Sequence, residues 1–430
     1  MPEVQEEITA EMGRPNDSHR HSTRRLISNS VAMALANVAG RGLGYVSLLL
    51  LARHVSAHYI GVYAILLTTS MLAELVSNLG LDKVVVREMA PSAHSGYDRK
   101  LFWTALGTRL CMAVVSFVAA FALLRLLFKD LGGLDEWTIA VYLSVIFPTV
   151  ASRNCEALLT AHERLRPIAW SQAFERIVMF GAVLLLINGH LSFAGFICFA
   201  PIAGLGRLSV LISGMAASWS SVGESSPLGV NELLRQSIQL FSVEVLALVY
   251  FRSDVFFIAR IQGLSSAGVY QIAYKMLDCC ISLFTGLLQA AFPLLIRNRS
   301  RRYLGQLLIY GLIVVSVPVA IVIVFRYPLL EFIQPGYSAG ATSLVWLMLT
   351  APLVYVNSTL SNAAIAAGKV KILIVLAIVL IGSNVGLNIA LIPRWSINGA
   401  AFATFACEAL SSLILVPVFL LTGYVGAKRP

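Results

Sequence analysis

Apolar residues run along this chain in long blocks, broken by short polar segments. A helix needs about 20 such residues to cross a bilayer's hydrocarbon core. On that measure the pattern predicts twelve helical spans, near 29–51, 60–80, 101–127, 137–160, 168–188, 192–216, 237–259, 267–295, 303–325, 340–367, 371–392 and 397–422. Several are rich in Ala, Gly and Ser, which let helices approach closely in lipid. No intervening segment exceeds about 20 residues, so no inserted soluble domain is expected. The predicted fold is an all-α polytopic membrane protein. It has a disordered cytoplasmic tail over 1–25, a six-helix lobe over 26–218, a cytoplasmic linker over 219–236 and a second six-helix lobe over 237–430.

Composition agrees with the pattern. The chain is 58% hydrophobic and 13% charged, with mean hydropathy +0.79, where soluble domains carry about 25% charged residues. Residues 1–25 hold Glu3, Glu6, Glu7 and Glu11 and lack the basic start and short apolar core of a signal peptide. Cys111, Cys155, Cys198, Cys279, Cys280 and Cys407 all fall in apolar blocks, with no CxxC and no Cys/His cluster, so no disulfide framework or metal site is predicted. No GxxxxGK[ST] points to ATP use, and no cofactor is expected.

The net charge of +10 reads as topology before nucleic-acid binding, because basic residues collect in short loops. With the N-terminus inside, the inner segments carry nineteen Lys and Arg and the outer ones five: Arg53, Lys129, Arg260, Arg326 and Arg394. Both termini are therefore expected on the cytoplasmic face of an inner membrane.

An internal repeat gives the architecture. Ala52-Arg53 precedes Gly61-Val62-Tyr63, and Ala259-Arg260 precedes Gly268-Val269-Tyr270, both as A-R-x7-G-V-Y at an offset of 207. Each copy joins the outer end of one span to the next. A weaker echo links Ala157–Ala161 with Ala363–Ala367. Six spans per lobe make the repeat parallel, related by an axis along the membrane normal, which leaves a central cavity between lobes that can rock.

The stretch Asn29–Ala90 resembles the N-terminal region of bacterial polysaccharide repeat-unit (O-antigen-type) flippases. The resemblance rests on Arg41-Gly42-Leu43-Gly44, Leu51-Ala52-Arg53, Gly61-Val62-Tyr63, Leu79-Gly80-Leu81 and Arg87-Glu88, with Ile397-Asn398-Gly399-Ala400-Ala401 later in the chain. These exporters share a superfamily with multidrug and toxic compound extrusion proteins and peptidoglycan-precursor flippases. The resemblance implies a V-shaped pair of six-helix lobes and a lipid-diphosphate sugar as substrate. Peptidoglycan-precursor flippases usually carry two further C-terminal spans, which makes their substrate the less expected one.

Ionisable residues at membrane depth usually face a cavity or a partner. The deep bases are Arg41, Arg109, Arg176, Arg207, Arg252 and Lys275; the deep acids are Glu74, Glu175, Glu244, Asp254, Asp278 and Glu408. Arg41 lies twelve residues before Arg53, about 18 Å deeper at 1.5 Å per residue. It is expected either to face the cavity or to form an interhelical pair. Arg41, Arg109, Arg207 and Arg252 are expected to meet a diphosphate, since guanidinium binds phosphate oxygens in a bidentate way. Lys275 either joins them or pairs with Asp278 three residues on. Arg53 and Arg260 are rim residues or an outer phosphate gate. Glu244, Asp254, Glu408, Asn384 and Asn388 are candidates for a Na⁺ or H⁺ site, with local pairing as the alternative.

The expectation is a non-enzymatic transporter that carries a polyprenyl-diphosphate-linked oligosaccharide to the outer leaflet. Membrane lipids and glycan polymerase or chain-length proteins are candidate partners, with no nucleic acid, and the protein is expected to be a monomer. The alternatives are a cation-coupled multidrug exporter of the same fold and a membrane glycan polymerase.

Overall fold

The computed structural model describes residues 40, 42–89, 97–216, 222–223, 230–297, 301–366 and 370–422. The tail over 1–25 and half of the linker lie outside them, as does Arg41.

The described residues are almost entirely helical. The first half holds α1 (42–54), α2 (Ala57–Asn78), α3 (Leu81–Met89), α4 (Arg99–Leu127), α5 (Glu136–Leu143), α6 (Ile146–Ala161), α7 (Leu165–Ile187) and α8 (Phe193–Ala216). The second half holds α9 (Val230–Gln262), α10 (Leu264–Arg297), α11 (Arg301–Val324), α12 (Arg326–Ile333), α13 (Ala341–Ala366), α14 (Val370–Trp395) and α15 (Ile397–Thr422). A two-residue parallel pairing joins Tyr97–Asp98 to Val222–Gly223.

Among the described residues, eight helices are long and apolar enough to cross a membrane. Of the other expected spans, the first is only partly described. The fourth is broken into α5 and α6 around Ser144 and Val145, with Pro148 in the first turn of α6, where a missing N–H costs least. The seventh and eighth lie on α9 and α10, which carry Glu244, Arg252 and Asp254, and Lys275 and Asp278. Lipid-facing surface is plain on α4, where Val114, Val115 and Val118 are exposed, and on α11, where Ile309, Ile313, Val317 and Ile321 recur every four residues. Water would not tolerate such continuous apolar faces; this is a multi-pass membrane protein.

Two segments differ from expectation. Instead of a loop, Arg326 to Gly340 forms α12 and a 3₁₀ turn over Pro335–Gly340. Arg326 donates to the Ile323 carbonyl at 2.8 Å and so fastens the start of α12. Helix α9 begins at Val230, within the segment expected as linker, with Glu232 in its first turn paired to Arg235 at 3.1 Å, a favourable charge placement at a helix N-terminus.

The halves meet through α2 and α3 on one side and α9 and α10 on the other. The repeat explains the tightest contact. A Cβ built on Gly61 falls 1.8 Å from the Leu264 carbonyl oxygen, and one on Gly268 falls 1.8 Å from that of Ala57. The two repeat glycines thus let α2 and α10 cross backbone to backbone, each against the other's first turn. Gly80, at φ +69°, lies against Ser237 and Phe241 of α9. Gly61 and Gly80 stand roughly 30 Å apart along α2, so the halves touch at both ends.

Candidate functional site

A cavity of about 600 Å³ opens inside the first half, between α1, α2, α5, α6, α7 and α8. Its wall is part apolar (Leu48, Leu51, Met179, Phe196) and part charged (Glu74, Arg153, Glu156, Glu175, Arg176, Arg207). Gln172, Glu175, Arg176, Met179 and Val183 reach it from one face of α7, as three- and four-residue spacing allows. A neighbouring depression, lined by Asp82, Lys83 and Arg87, shares Arg153 and Glu156 with it. These two residues therefore stand between the cavity and the rim near α3.

The wall charges are mostly paired. Arg153 Nε lies 2.8 Å from Glu74 Oε1. Arg207 bridges two carboxylates, Glu156 at 2.6 Å and Glu175 at 3.0 Å. Arg176 has no ion pair or hydrogen bond among the described residues, and its side chain is exposed. Tyr63 and Phe196 pack with ring centroids 5.6 Å apart at the apolar end.

The deep bases anticipated from the sequence are therefore scattered. Arg207 is on the cavity wall. Arg109 is not: its side chain is fully buried and lies 3.0 Å from Asp82. Arg252 and Lys275 both hold Asp278, at 3.1 and 3.2 Å. Arg252 also stacks on Tyr274 at 5.0 Å, and Lys275 lies 5.4 Å from the ring centre of Tyr45 on α1. Ser282 and the Tyr45 hydroxyl lie 3.2 Å apart, so this cluster sits on the seam between the halves. Arg53 lies over the Phe332 ring at 4.8 Å, and Arg260 is exposed.

The acidic candidates divide likewise. Glu244 pairs with Lys83 across the halves at 2.9 Å, away from the others. Asp254 is buried and accepts hydrogen bonds from Tyr270 and from the Val255 N–H at 2.8 Å. The adjacent Ser253 reaches Asn384 Oδ1 at 3.4 Å, which also accepts from Asn388 at 2.9 Å. Asn388 Oδ1 is buried and without a partner among the described residues. Glu408 is buried between Tyr250 at 2.9 Å and Asn357 at 2.6 Å.

Sequence reasoning does not single out Arg153 and Glu156. They sit one turn apart on α6 with opposite charge, the ordinary appearance of a local pair, whereas their partners are on α2 and α8.

The described helices form a two-part bundle with apolar outer faces and a charged internal cavity, the architecture of a multi-pass membrane protein. The chain belongs to the polysaccharide biosynthesis protein family, whose model matches residues 26–299. It is 26% identical over 290 residues to the succinoglycan biosynthesis transport protein ExoT of Rhizobium meliloti (strain 1021), covering 65% of this chain and 56% of that protein. The chain thus spans little more than half of that relative's length. In fold it is similar to the lipid II flippase MurJ in an inward closed conformation, with TM-score 0.73 and 15% identity over 91% of this chain and 88% of that one. It is also similar to an inward-facing MATE family multidrug resistance transporter of the MOP superfamily, with TM-score 0.71 and 12% identity over 87% and 92%.

Proposed function

We propose that this protein flips a polyprenyl-diphosphate-linked oligosaccharide from the cytoplasmic to the outer leaflet of the inner membrane by alternating access. It does so without catalysing a covalent change, through twelve spans in two lobes and with both termini cytoplasmic. The observation that carries this reading is a cavity of about 600 Å³ inside an apolar shell, whose wall carries three guanidinium groups and three carboxylates, with Arg176 outside their ion pairs. A diphosphate stripped of water without partners costs several kcal/mol or more. Guanidinium offers paired N–H donors and stays charged when buried. The lipid tail stays against the apolar outer faces while the sugars cross in the polar interior.

Arg41, in the Arg41-Gly42-Leu43-Gly44 stretch, belongs to this path in the proposal. Arg207 joins it from the cavity wall, and Arg252 and Lys275 from the seam between the halves. Arg53 and Arg260 act at the outer rim, and Arg109 is assigned to holding Asp82. The Gly61–Gly268 crossing is the outer closure, so release requires α2 and α10 to part there. An anion leaving a negative-inside cell gains about 2.3 kcal/mol per charge per 100 mV, so the potential can drive the step alone. Asp254, Asn384 and Asn388, with an unpaired buried amide oxygen among them, form the candidate site for a coupling Na⁺ or H⁺. Glu408 and Glu244 are assigned to structural pairing.

The test is complementation of a strain lacking the gene. Arg41→Ala should abolish polymer export at normal protein level; full export by that variant removes Arg41 from the mechanism. Export of a cationic dye by the purified protein, with no response to lipid-linked sugar, would favour the multidrug reading instead.

A further inference from the structure

The cavity wall carries three arginines and three glutamates, and the pairing between them is uneven. Arg153 consumes Glu74, and Arg207 consumes both Glu156 and Glu175. Every wall carboxylate is thereby engaged. Arg176 is left with no ion pair or hydrogen bond among the described residues, although Glu175 is its neighbour in sequence. A guanidinium does not shed its proton to escape such a site. An unpaired cation at membrane depth is costly and normally marks a ligand path.

The facing helix is shaped to seat this side chain. A Cβ on Gly44 would fall 2.7 Å from Arg176 Nη1 and 3.8 Å from its Cζ, and one on Gly40 would touch its Cγ at 3.8 Å. Gly44 does not stand at a positive φ, so its helical backbone has no conformational need for glycine. The missing side chain at 44 leaves the space that the Arg176 guanidinium occupies against α1. Gly42, two residues earlier, has nothing within 4 Å of a built Cβ. It is therefore an internal control: same helix, same residue, no contact.

We propose that Arg176, seated over Gly44, is the diphosphate-binding group of the cavity in the first half. This rests on the flippase reading and adds a residue and a location to it. The anionic headgroup enters beside α7, takes the N–H donors of Arg176 in a bidentate contact, and leaves the Arg153–Glu74 and Arg207–Glu156 pairs intact as walls. The cavity's volume falls within the roughly 300–1,000 Å³ of ordinary ligand pockets, which leaves room for sugar beyond the phosphates. Tyr63 and Tyr142, also on the wall, offer faces for it.

The experiment uses the full chain in nanodiscs, with farnesyl diphosphate as probe and farnesol as its uncharged control, read by intrinsic tryptophan fluorescence. Wild type should bind the diphosphate more tightly than farnesol, with an affinity that falls as salt rises. Arg176→Ala should lose about tenfold in diphosphate affinity, the loss of one charge-assisted contact, with farnesol binding unchanged. Gly44→Ala should weaken the diphosphate by a few-fold through displacement of the guanidinium, and Gly42→Ala should match wild type. Arg176→Lys keeps the charge but not the planar fork, and should fall between wild type and the alanine variant. It also decides the matter if Arg176→Ala fails to fold, since wild-type affinity in the lysine variant overturns the proposal. Wild-type affinity in Arg176→Ala, or equal effects of Gly44→Ala and Gly42→Ala, overturns it as well and leaves the flippase reading standing. Equal binding of farnesol and farnesyl diphosphate by wild type sinks the flippase reading itself.

Discussion

Replacing Gly61 by alanine places a methyl group where the Leu264 carbonyl now stands. The built Cβ lies 1.8 Å from that oxygen, 2.7 Å from its carbon and 3.1 Å from the Gly268 nitrogen. A carbon–oxygen contact needs about 3.3 Å, so α2 and α10 must part by roughly 1.5 Å. The obstruction is backbone on both sides, and no rotamer change relieves it. Overpacking of this kind costs about 1–3 kcal/mol, which is about five- to 150-fold in the ratio of closed to open seam. The helix itself gains about 1 kcal/mol from the change, so the variant should fold and insert. Ala267, fully buried beside Gly268, reports the state of the seam. As Ala267→Cys in a cysteine-free background, it should react slowly with a membrane-impermeant maleimide while Gly61 is intact. Adding Gly61→Ala should speed labelling about tenfold, near the middle of that range. Gly268→Ala should do the same, because its Cβ meets the Ala57 carbonyl at 1.8 Å. Identical labelling rates with and without these alanines would refute the closure argument.

Other consequences follow from the ion pairs. Asp82→Asn strands the buried Arg109 and should cost about 3 kcal/mol or more in stability, whereas Arg109→Met leaves a partly exposed Asp82 that still accepts from Asn78 at 2.9 Å and should be nearly neutral; melting in detergent separates the two. Glu74→Gln leaves Arg153 with Asp82 alone, at 3.9 Å, and should tighten farnesyl diphosphate binding about threefold, a modest gain because the lost pair is half-exposed. Asp254→Asn should remove any Na⁺ or pH dependence of transport in proteoliposomes while leaving protein level unchanged; persistence of the dependence would place the coupling site elsewhere.

The helices are legible in the sequence because burial in lipid is a composition signal, and the repeat marks the segments where the two halves cross. The repeat does not encode that Gly61 and Gly268 touch each other, since equivalence along the chain carries no information about contact in space. Lys275 and Asp278 pair as their i,i+3 spacing suggests. Arg109 and Arg207 look alike in sequence and have opposite surroundings. The first is enclosed by Asp82 from a different helix, and the second opens on a cavity between carboxylates from α6 and α7. Arg153 finds Glu74, 79 residues earlier, and no periodicity encodes such a partner. The helix α12 is hidden because eight residues hold too few turns to show a period against an apolar background.

The most direct measurement is transbilayer movement of a fluorescent polyprenyl-diphosphate disaccharide in proteoliposomes, read by an impermeant quencher. The protected inner pool should become quenchable only in vesicles containing the protein, and Arg176→Ala should slow this without loss of protein. A quenchable fraction no larger than in empty vesicles, with the protein folded and inserted, would contradict it.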